Sequence, residues 1–533
     1  MFWLDRIYEA GEERLKATAA KKGLLVVRDE KTASGRVHVG SMRALALHAA
    51  LAERLGEAKL PHVFKYEIND MDPMDGLPIY LDAAVYTKEM GKPLYQIPSP
   101  EPAIAPNFAE YFANDYIEAI HEAGFQPEFY RASELYLSGR MNGVIREALD
   151  NAAAIRKIYE EVSKATRPDD WFPVSVICEN CGKIGTTKAE AWDGEKVTYT
   201  CYPTAVKWAE GCGHHGNVSP FDGHAKLPWK VEWGAKWKVM QVDVEGGGKD
   251  HYSKGGPRDI ARRISEEVLG YPEPYGVQNE FFLIVGKKMS SSKGEGSSAK
   301  DVVELMPPRI FRLALFGKDI NQQINFDPAG DTIPVLWDTY DKLAEKYWQG
   351  IRDDDTRLFE YIHFPEERDG LKGAKRFLPR FSQIAFIVQM PHLAVDAEVE
   401  RMKGNTKLTE LDRQELELRA RYARIWLDRA ASDDYKFTLQ DILPDAAKQL
   451  SSEQKTAIGK VVAYVQEHAT LDGQELHTAL HEIRKESGLS AGEFFGALYL
   501  AFLGKDHGPK AGWFLSVLDR DFVLTRLGEI INS

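Results

Sequence analysis

Short apolar runs alternate with longer helical patterns along the first 330 or so residues, and this alternation limits the folds open to the chain. Strands are predicted at 23–28, 62–68, 128–132 and 281–285, and helices at 41–56, 107–123 and 140–165. Strands that alternate with helices favour a parallel sheet with crossover helices. The sequence therefore predicts an α/β fold for this half.

The second half has a different pattern. From about residue 335 the apolar residues are spaced by three and four, as in LELRARYARIWLDRA at 416–430, and few strands are predicted. An all-α domain over 335–533 is the best interpretation. A length of 533 residues agrees with three or four domains, at roughly 150 residues each.

Composition excludes several classes of protein. The net charge of −13 disfavours a protein that coats nucleic acid through bulk charge, although a local basic surface stays possible. Four cysteines are too few for a disulfide scaffold. Acidic residues interrupt the first apolar stretches, and 18 uncharged apolar residues never follow one another, so neither a signal peptide nor a membrane span is expected. We predict a cytoplasmic protein.

The loop after the first predicted strand carries residues suited to a nucleotide. Its sequence TASGRVHVGS runs from Thr32 to Ser41 and precedes a helix. In a parallel sheet this is the mouth of the ligand crevice, and the helix start offers free N–H groups to a phosphate. His38 could donate to a phosphate oxygen, and Gly40 leaves room for a flat base. The alternative is a surface loop with an exposed histidine and a tight-turn glycine.

A second loop gathers lysines and hydroxyl groups. The segment GKKMSSSKGEG at 286–296 follows the predicted strand FFLIV. Lys288 and Lys293 could clamp phosphates while serine hydroxyls and backbone N–H groups add hydrogen bonds. The alternative is a solvated Ser/Gly-rich linker.

Together the two loops resemble a known family. HVGS at 38–41 and KMSSS at 288–292 are similar to the H-I-G-H and K-M-S-K-S signatures of class I aminoacyl-tRNA synthetases. The stretches TASGRVHVGSMR, FKYEINDMDPM, GFQPEFYRASELYLSG, GGKDHYSKGG and PPRIFRLALF narrow the resemblance to class I lysyl-tRNA synthetases, over about residues 20–330. Ser41 departs from the general signature where a second histidine is usual. Ser291 stands where a lysine is usual, with Lys293 two positions later.

The resemblance implies an architecture and a reaction. It implies a Rossmann-like catalytic domain in two parts (1–132 and 226–334), an insert that binds the acceptor stem (133–225) and an α-helical anticodon-binding domain (335–533). It implies a lysine–tRNA ligase that activates lysine with ATP and transfers it to tRNA(Lys), with Mg²⁺ bridging the phosphates. The implied catalytic residues are His38, Lys288 and Lys293. The implied ATP-binding residues are Thr32, Ser34, Gly35, His38, Gly40, Ser41, Lys288, Ser290, Ser291 and Ser292.

A lysine side chain needs a carboxylate or an aromatic face at the end of its pocket. The candidates near the expected crevice are Glu30, Asp70, Trp229, Trp233, Asp250 and His251. The tryptophans could instead pack in the core. Three other functions stay open: a glutamyl- or glutaminyl-type synthetase, a small-molecule adenylyltransferase with the same first loop, and a non-catalytic tRNA-binding paralogue.

All four cysteines fall between positions 178 and 212, which core packing does not explain. Cys178 and Cys181 form a C-x₂-C knuckle, and Cys201 and Cys212 follow. We predict one zinc ion held by the four thiolates, with His214 or His215 as possible substitutes for one of them. A knuckle that has lost its metal is the alternative, because the second pair lacks the x₂ spacing.

The segment 371–390 combines positive charge with aromatic side chains and contains no acid. Phe377 and Phe381 lie among its four basic residues, a combination suited to phosphates and unstacked bases. The predicted tRNA-binding residues are Lys372, Lys375, Arg376 and Arg380. A basic helix face beside core phenylalanines is the alternative. We expect a monomer.

Overall fold

The computed structural model describes residues 1–287, 289, 291, 296–390 and 393–533. The predicted site residues Lys288, Ser290, Ser292 and Lys293 therefore lie outside the described residues. The chain forms two compact units. The first comprises Met1–Phe326 and Leu343–Asp369, and the second comprises Asp327–Lys342 and Gly370–Ser533.

The first unit is built on a parallel sheet. Strands β1 (Leu25–Thr32), β2 (His62–Asn69) and β3 (Glu128–Arg131) lie in the order β1-β2-β3, with Leu25 opposite His62 and Thr32 opposite Asn69. The first four residues of β1 are buried and the last four are half-exposed. The carboxyl end of β1 is thus partly accessible, as the α/β prediction of a crevice at that edge requires, whereas the last four residues of β2 are buried.

Short pairings continue this parallel arrangement. Val244 bridges Val27 on one side and Tyr275 on the other, both in parallel. Four further strands form two parallel pairs: β9 (Gly247–Gly248) with β10 (Gln278–Asn279), and β11 (Phe282–Ile284) with β12 (Ile324–Phe326). The predicted parallel sheet is confirmed.

Helices cross between the strands and bury one face against them. Helix α2 (Met42–Glu57) lies between β1 and β2 along the chain, and helix α4 (Phe108–Glu122) lies between β2 and β3. Asn107 caps α4 by accepting a hydrogen bond from the backbone N–H of Glu110 at 2.9 Å. The helices up to β12 are α1 (Trp3–Lys22), α2 (Met42–Glu57), α3 (Ala83–Tyr86), α4 (Phe108–Glu122), α5 (Ala132–Leu137), α6 (Asn142–Asp150), α7 (Ala152–Ser163), α8 (Trp229–Met240), α9 (Pro257–Arg263), α10 (Ala299–Val303) and α11 (Pro308–Phe316).

A small antiparallel sheet lies between α7 and α8 in sequence. It contains β5 (Thr187–Trp192), β6 (Val197–Cys201) and β7 (His215–Val218), in that order. Strand β4 (Ser175–Val176) pairs with β8 (Ala225–Lys226), so the two ends of this segment lie next to each other. This segment carries all four cysteines.

The described part of the chain after β12 contains helices and loops but no strands. Helices α12 (Thr332–Trp348) and α13 (Asp354–Ile362) come first. Those of the second unit continue with α14 (Phe381–Ile387), α15 (Val395–Met402), α16 (Glu410–Arg429), α17 (Asp445–Lys448), α18 (Ser452–Glu467), α19 (Gly473–Glu486), α20 (Ala491–Leu503), α21 (Ala511–Val517) and α22 (Arg520–Ile531). Apolar residues at helical spacing on α18 to α22 form its core. The predicted all-α character is confirmed.

Within the described ranges, no helix has both the length and the apolar character needed to cross a membrane.

Candidate active site and metal cluster

The two predicted nucleotide loops lie side by side. The backbone N–H of His38 donates to the Ser291 hydroxyl at 3.2 Å. Val39 N–H donates to the Ser297 carbonyl at 3.2 Å, and Ala299 N–H donates to the Val37 carbonyl at 2.8 Å. Residues at least 253 positions apart in sequence are thereby held in one site at the start of α2.

Two glycines permit this close approach. Gly35 has φ +153°, and a Cβ there would lie 2.5 Å from the Ser291 carbonyl oxygen and 2.8 Å from the Tyr80 hydroxyl oxygen. A Cβ at Gly40 would lie 2.9 Å from His38 Nδ1 and 3.1 Å from the Phe282 carbonyl oxygen. A larger residue at Gly35 would push Ser291 away, and one at Gly40 would crowd His38 and β11.

The other residues of the first loop line the same edge of the sheet. Thr32 ends β1, and its hydroxyl donates to Asp72 at 2.7 Å. Ser34, His38 and Ser41 are half-buried, and Ser291 is buried. A short 3₁₀ turn at Val39–Ser41 leads from His38 directly into α2. The loop therefore presents the backbone of a helix start to the crevice.

Glu30 is the acidic candidate on β1 itself. It lies two residues before the end of β1, and its side chain is 21% exposed. Arg28 donates to it, and Lys236 Nζ lies 3.7 Å from its carboxylate. Burial raises the pKa of the Glu30 carboxyl, and the attraction of Lys236 and Arg28 only partly offsets that cost.

Asp70 is already engaged by the protein. The backbone N–H of Ser133 donates to Asp70 Oδ1 at 2.8 Å, and the Ser133 hydroxyl donates to Oδ2 at 2.5 Å. Burial raises the pKa of this carboxyl, against those two hydrogen bonds. Asp70 thus fixes the start of α5 at the carboxyl end of β2.

Three of the other candidates form an aromatic cluster. Trp229 and Trp233 stack with ring centroids 5.7 Å apart, and the His251 ring meets them at 5.3 and 5.5 Å. Trp229 is 38% exposed, whereas Trp233 is buried and donates its indole N–H to Glu245 at 2.6 Å. Asp250 Oδ1 lies 3.9 Å from His251 Nε2. Trp229, Asp250 and His251 are accessible to a ligand, and Trp233 forms the wall behind them.

A buried network of charges lies beneath these residues, and sequence reasoning missed it. Arg28 contacts Glu67 at 2.8 Å and Glu245 at 3.0 Å, and it also contacts Glu30. Lys236 contacts Glu67 and lies 3.3 Å from Glu232. The network continues from Glu232 through Lys226 to Asp72, with Lys226 Nζ 2.5 Å from Glu232 and 3.0 Å from Asp72. Charged residues within the apolar patterns of β1, β2 and α8 could have indicated this network in the sequence.

The carboxylates of this network outnumber its cations. Glu30, Glu67, Asp72, Glu232 and Glu245 are connected through Arg28, Lys226 and Lys236. Burial opposes ionisation of Glu67, but Lys236 and Arg28 outweigh it and lower the pKa of that carboxyl to about 2. With all five carboxylates and all three cations ionised, these eight groups carry a net charge of −2, and the nearby Lys31 is also attracted to Glu30 and Asp72.

The four cysteines form one compact cluster. Their sulfur atoms all lie within 4.8 Å of one another. Cys178 and Cys212 Sγ are 3.6 Å apart, and Cys181 and Cys201 Sγ are 3.7 Å apart. Four thiolates at about 2.3 Å from a tetrahedral zinc would lie about 3.8 Å from one another. The donor set and its spacing fit that metal.

Neighbouring polar groups support the cluster. The Cys212 N–H donates to Cys201 Sγ at 3.4 Å. Although burial raises the pKa of the Cys212 thiol, hydrogen bonds from Asn180 and His214 help to lower it to about 6. His215 is exposed, and its ring bonds to Thr200 instead. The thiolates alone therefore form the described cluster.

The predicted basic segment is divided in two by its contacts. Lys372 and Lys375 are exposed. Arg376 Nε lies 3.2 Å from the buried carboxylate of Glu415, and Arg380 forms an ion pair with Asp338. The two lysines are thus available to a phosphate, whereas both arginines are held by acids of the second unit.

Comparison with known proteins agrees with this geometry. A family model described as tRNA synthetases class I (K) matches residues 1–391, and an anticodon binding domain model matches residues 416–531. The lysine–tRNA ligase of Methanosarcina barkeri (strain Fusaro / DSM 804) is 32% identical over 550 residues, covering 99% of this chain and 98% of that protein. That of Methanocaldococcus jannaschii is 32% identical over 553 residues, covering 99% of both chains. That of Thermoplasma volcanium is 28% identical, covering 100% of both.

The parallel sheet and the meeting of its two loops define a class I aminoacyl-tRNA synthetase. Within that class the chain belongs to the class I lysyl-tRNA synthetases, so its enzyme class is lysine–tRNA ligase. The family resemblance is confirmed, and the glutamyl-type and adenylyltransferase alternatives fall away. The individual site residues stay predictions.

Proposed function

We propose that the crevice at the carboxyl ends of β1 and β2 binds lysine and ATP, forms lysyl-adenylate and passes the lysyl group to tRNA(Lys). The observation that carries the proposal is the excess of carboxylates over cations in the buried network under the crevice. Lysine brings an α-ammonium and an ε-ammonium, and an acidic crevice attracts both. Because an unpaired buried charge is costly, the site favours a doubly cationic amino acid over neutral analogues.

In this proposal Glu30 is the acid that recognises the side chain of the lysine substrate. The Glu30 side chain is 21% exposed next to the nucleotide loop, and Arg28 and Lys236 contact it from the buried side. Trp229 and His251 supply an aromatic face on which the methylene chain and ammonium of lysine pack. Asp250 lies beside them, while Asp70 and Trp233 shape the pocket.

The first step joins lysine to the α-phosphate. A lysine carboxylate oxygen attacks the α-phosphorus of ATP, and the bond from that phosphorus to the oxygen of pyrophosphate breaks. His38 and the N–H groups at the start of α2 stabilise the charge on the phosphates, and Lys288 with Lys293 stabilises the leaving pyrophosphate. Mg²⁺ would bind mainly to the phosphate oxygens. The predicted ATP-binding residues Thr32, Ser34, Gly35, Gly40, Ser41, Ser290, Ser291 and Ser292 shape the loops around them.

The second step transfers the lysyl group. A terminal ribose hydroxyl of tRNA(Lys) attacks the activated carbonyl carbon, and AMP leaves. The hydroxyl proton passes to the phosphate side of the leaving group. Alignment in the crevice supplies most of the rate, because neither step needs a covalent bond to the protein.

The cysteine cluster holds one zinc ion in this proposal, through Cys178, Cys181, Cys201 and Cys212. Zinc would act as a structural cross-link between the turn after β4 and the end of β6. The insert then presents a fixed surface to the acceptor stem.

Lys372 and Lys375 contribute phosphate contacts in the second unit. Arg376 and Arg380, which we predicted to share that role, are supported less well because Glu415 and Asp338 hold them. Binding of tRNA weakens as salt rises, through counterion release. We propose that the enzyme acts as a cytoplasmic monomer.

Replacing Glu30 by Gln tests the lysine pocket. The variant keeps the shape of the side chain and removes its charge. We expect the KM for lysine to rise about tenfold to a hundredfold, since a hydrogen bond to a charged group contributes about 1.5–3 kcal/mol. The KM for ATP should change little. Both are measured by lysine-dependent ATP–pyrophosphate exchange at saturating tRNA.

Glu128→Gln is the matched control, because Glu128 is a 68% exposed glutamate at the opposite end of the strands. Its KM for lysine should equal that of the parent. An unchanged lysine KM in Glu30→Gln would remove Glu30 from the pocket. Exchange stimulated by other amino acids and not by lysine would refute the proposed function.

A further inference from the structure

Arg36 is an exposed cation in the first nucleotide loop, and the sets of residues predicted to bind ATP or to act in catalysis do not include it. It lies between Gly35 and Val37, two residues before His38. Within the described part of the chain, its guanidinium forms no ion pair with a carboxylate. An exposed arginine without an acidic partner, next to a loop suited to phosphate, is open to an anion.

Tyr80 holds this arginine in place. The backbone N–H of Arg36 donates to the Tyr80 hydroxyl at 2.6 Å, and Arg36 Cζ lies 4.8 Å from the centroid of the Tyr80 ring. The Tyr80 ring packs in turn against Phe112, with ring centroids 6.1 Å apart. A cation over an aromatic ring is held without using its hydrogen-bond donors. The guanidinium is therefore already positioned before a ligand binds, which lowers the entropic cost of binding.

The segment that carries Arg36 touches the second nucleotide loop at Ser291. A Cβ at Gly35 would lie 2.5 Å from the Ser291 carbonyl oxygen and 2.8 Å from the Tyr80 hydroxyl oxygen, so these two oxygens flank the same point. Ser291 stands where a lysine is usual in the class signature, so the second loop has no cation at this position. Arg36, on the neighbouring loop, brings a positive charge to the same contact.

The charges of the first unit separate the two parts of the reaction. The buried network under the crevice holds more carboxylates than cations, which favours ammonium groups there and disfavours a polyphosphate. The start of α2 offers free N–H groups, and Arg36 offers five more donors in a fixed fork. Glu101, an exposed acid on the same side, accepts the Tyr111 hydroxyl at 2.7 Å. The loops are thus the favoured place for the phosphates of ATP.

We propose that Arg36 binds the β- and γ-phosphates of ATP and supplies the positive charge that position 291 lacks. A lysine carboxylate oxygen attacks the α-phosphorus, and the bond from that phosphorus to the pyrophosphate oxygen breaks. The electron pair of the broken bond stays on the pyrophosphate, and the Arg36 guanidinium donates to its oxygens as the charge develops. The inference rests on the proposed function, because it assumes that lysyl-adenylate forms in this crevice.

Lysine-dependent ATP–pyrophosphate exchange at saturating tRNA tests the contact. Arg36→Gln keeps part of the side chain and removes its charge. We expect the KM for pyrophosphate and the KM for ATP to rise about tenfold to a hundredfold, because a hydrogen bond from a charged group is lost. The KM for lysine should stay at the parental value. Arg36→Lys should recover part of the loss, since an ammonium keeps the charge but not the fork.

Arg352→Gln is the matched control. Arg352 is also an exposed arginine over a tyrosine, with Cζ 5.0 Å from the centroid of the Tyr347 ring, and it lies outside both nucleotide loops. All of its KM values should equal those of the parent. A titration with inorganic pyrophosphate and Mg²⁺ measures the same contact without turnover, and Arg36→Gln should bind this probe at least tenfold more weakly.

Three results would overturn the inference. The first is a parental KM and affinity for pyrophosphate in Arg36→Gln. The second is an increase only in the KM for tRNA during aminoacylation, which would place Arg36 on the nucleic acid. The third is an equal rise in the KM for lysine, which would indicate a general distortion of the crevice. Failure of the proposed function is separate, since the parent would then show no lysine-dependent exchange.

Discussion

Glu30 joins the buried charges of the first unit to the open crevice, and its protonation state should control lysine binding. Burial raises the pKa of this carboxyl, while Lys236 and Arg28 pull in the other direction. The ionised form attracts the lysine ammonium, and the protonated form does not. Glu67, deeper in the same network, keeps its charge because those two cations lower its pKa to about 2.

The first prediction concerns pH. As pH falls through the raised pKa of Glu30, the KM for lysine should rise while the KM for ATP stays level. In Glu30→Gln the KM for lysine should be high and independent of pH over the same range. The measurement is a pH series of exchange kinetics at saturating tRNA. A parental lysine KM that is as flat as that of the variant would contradict the assignment.

The raised pKa of Glu30 also affects the stability of the fold. A carboxyl whose pKa is raised by folding destabilises the fold while it is ionised, and this cost is relieved as pH falls through the raised pKa. Glu30→Gln should therefore be at least as stable as the parent at neutral pH. A lower unfolding temperature would show that Glu30 supports the fold.

At the scale of elements, helix α8 is held to β2 by charge as well as by packing. Lys236 is fully buried on α8 and contacts Glu67 of β2. Trp233 and Trp237, one turn apart on the same helix, both donate to Glu245. The helix therefore positions the carboxylates of the crevice.

Replacing Lys236 by Met leaves Glu67 and Glu232 without this cation. We expect a loss of about 3–5 kcal/mol, since removing one partner of a buried ion pair leaves an uncompensated charge. The measurement is the urea transition of the first unit. Lys238→Met on the same helix is the control. Its pair with Glu147 is partly exposed, so it should cost about 1 kcal/mol or less. Equal losses in the two variants would exclude the network as a source of stability.

The cysteine cluster gives a second prediction at this scale. Protein purified without chelator should contain about one zinc per chain, and Cys201→Ser should lose it, because three thiolates close a structural site poorly. His215→Ala should keep the metal, since that ring bonds to Thr200. Metal analysis of the three proteins decides the point. Metal-free parental protein would favour a knuckle that no longer binds zinc.

At the scale of the whole molecule, the chain passes between the two units more than once. Residues 343–369 belong to the first unit, although 327–342 belong to the second. Arg312, fully buried on α11, donates to the Tyr361 carbonyl at 2.7 Å, and Arg368 contacts Glu53 of α2. The last segment of the first unit thus satisfies charges that lie far back in the sequence.

Two fragments test the domain boundary predicted at residue 335. Fragment 1–369 should be soluble and show a cooperative urea transition. Fragment 1–334 should lose about 1–3 kcal/mol or aggregate, because Arg312 keeps its ion pair with Glu53 but loses the Tyr361 carbonyl, and Glu53 loses Arg368. Limited proteolysis and urea unfolding provide the measurements. If 1–334 is as stable as 1–369, the predicted boundary is correct and residues 343–369 add nothing.

The regular part of the fold was accessible from the sequence because periodicity reports burial. The strands at His62–Asn69 and Glu128–Arg131 fall where apolar runs predicted them. The pairing of Gly247–Gly248 with Gln278–Asn279 could not be predicted from the sequence, because two residues are too few to form a periodic pattern. The two loop motifs identified the family, because phosphate binding accounts for glycine, histidine and lysine at those positions.

The buried ion pairs of the core could not be predicted from the sequence, because residue type alone does not reveal burial or contact partners. Arg28 and Glu67 stand in strand patterns where a charged residue usually faces water. Glu30 and Asp70 each follow a buried run, yet one is open and the other is bonded to Ser133. Only contacts between segments distant in sequence distinguish the accessible carboxylate of Glu30 from the hydrogen-bonded carboxylate of Asp70.

The division of the first unit across the sequence affects how the chain folds during synthesis. Its helix α11 is complete at Phe316, but Tyr361 and Arg368 leave the ribosome later. At about 5–20 residues per second, the intervening stretch takes a few seconds to make. During that interval Arg312 lacks the Tyr361 carbonyl, and the nascent catalytic unit exposes surface that α13 will later cover. Chaperones that bind unfinished chains should therefore associate with this polypeptide until residue 369 has emerged.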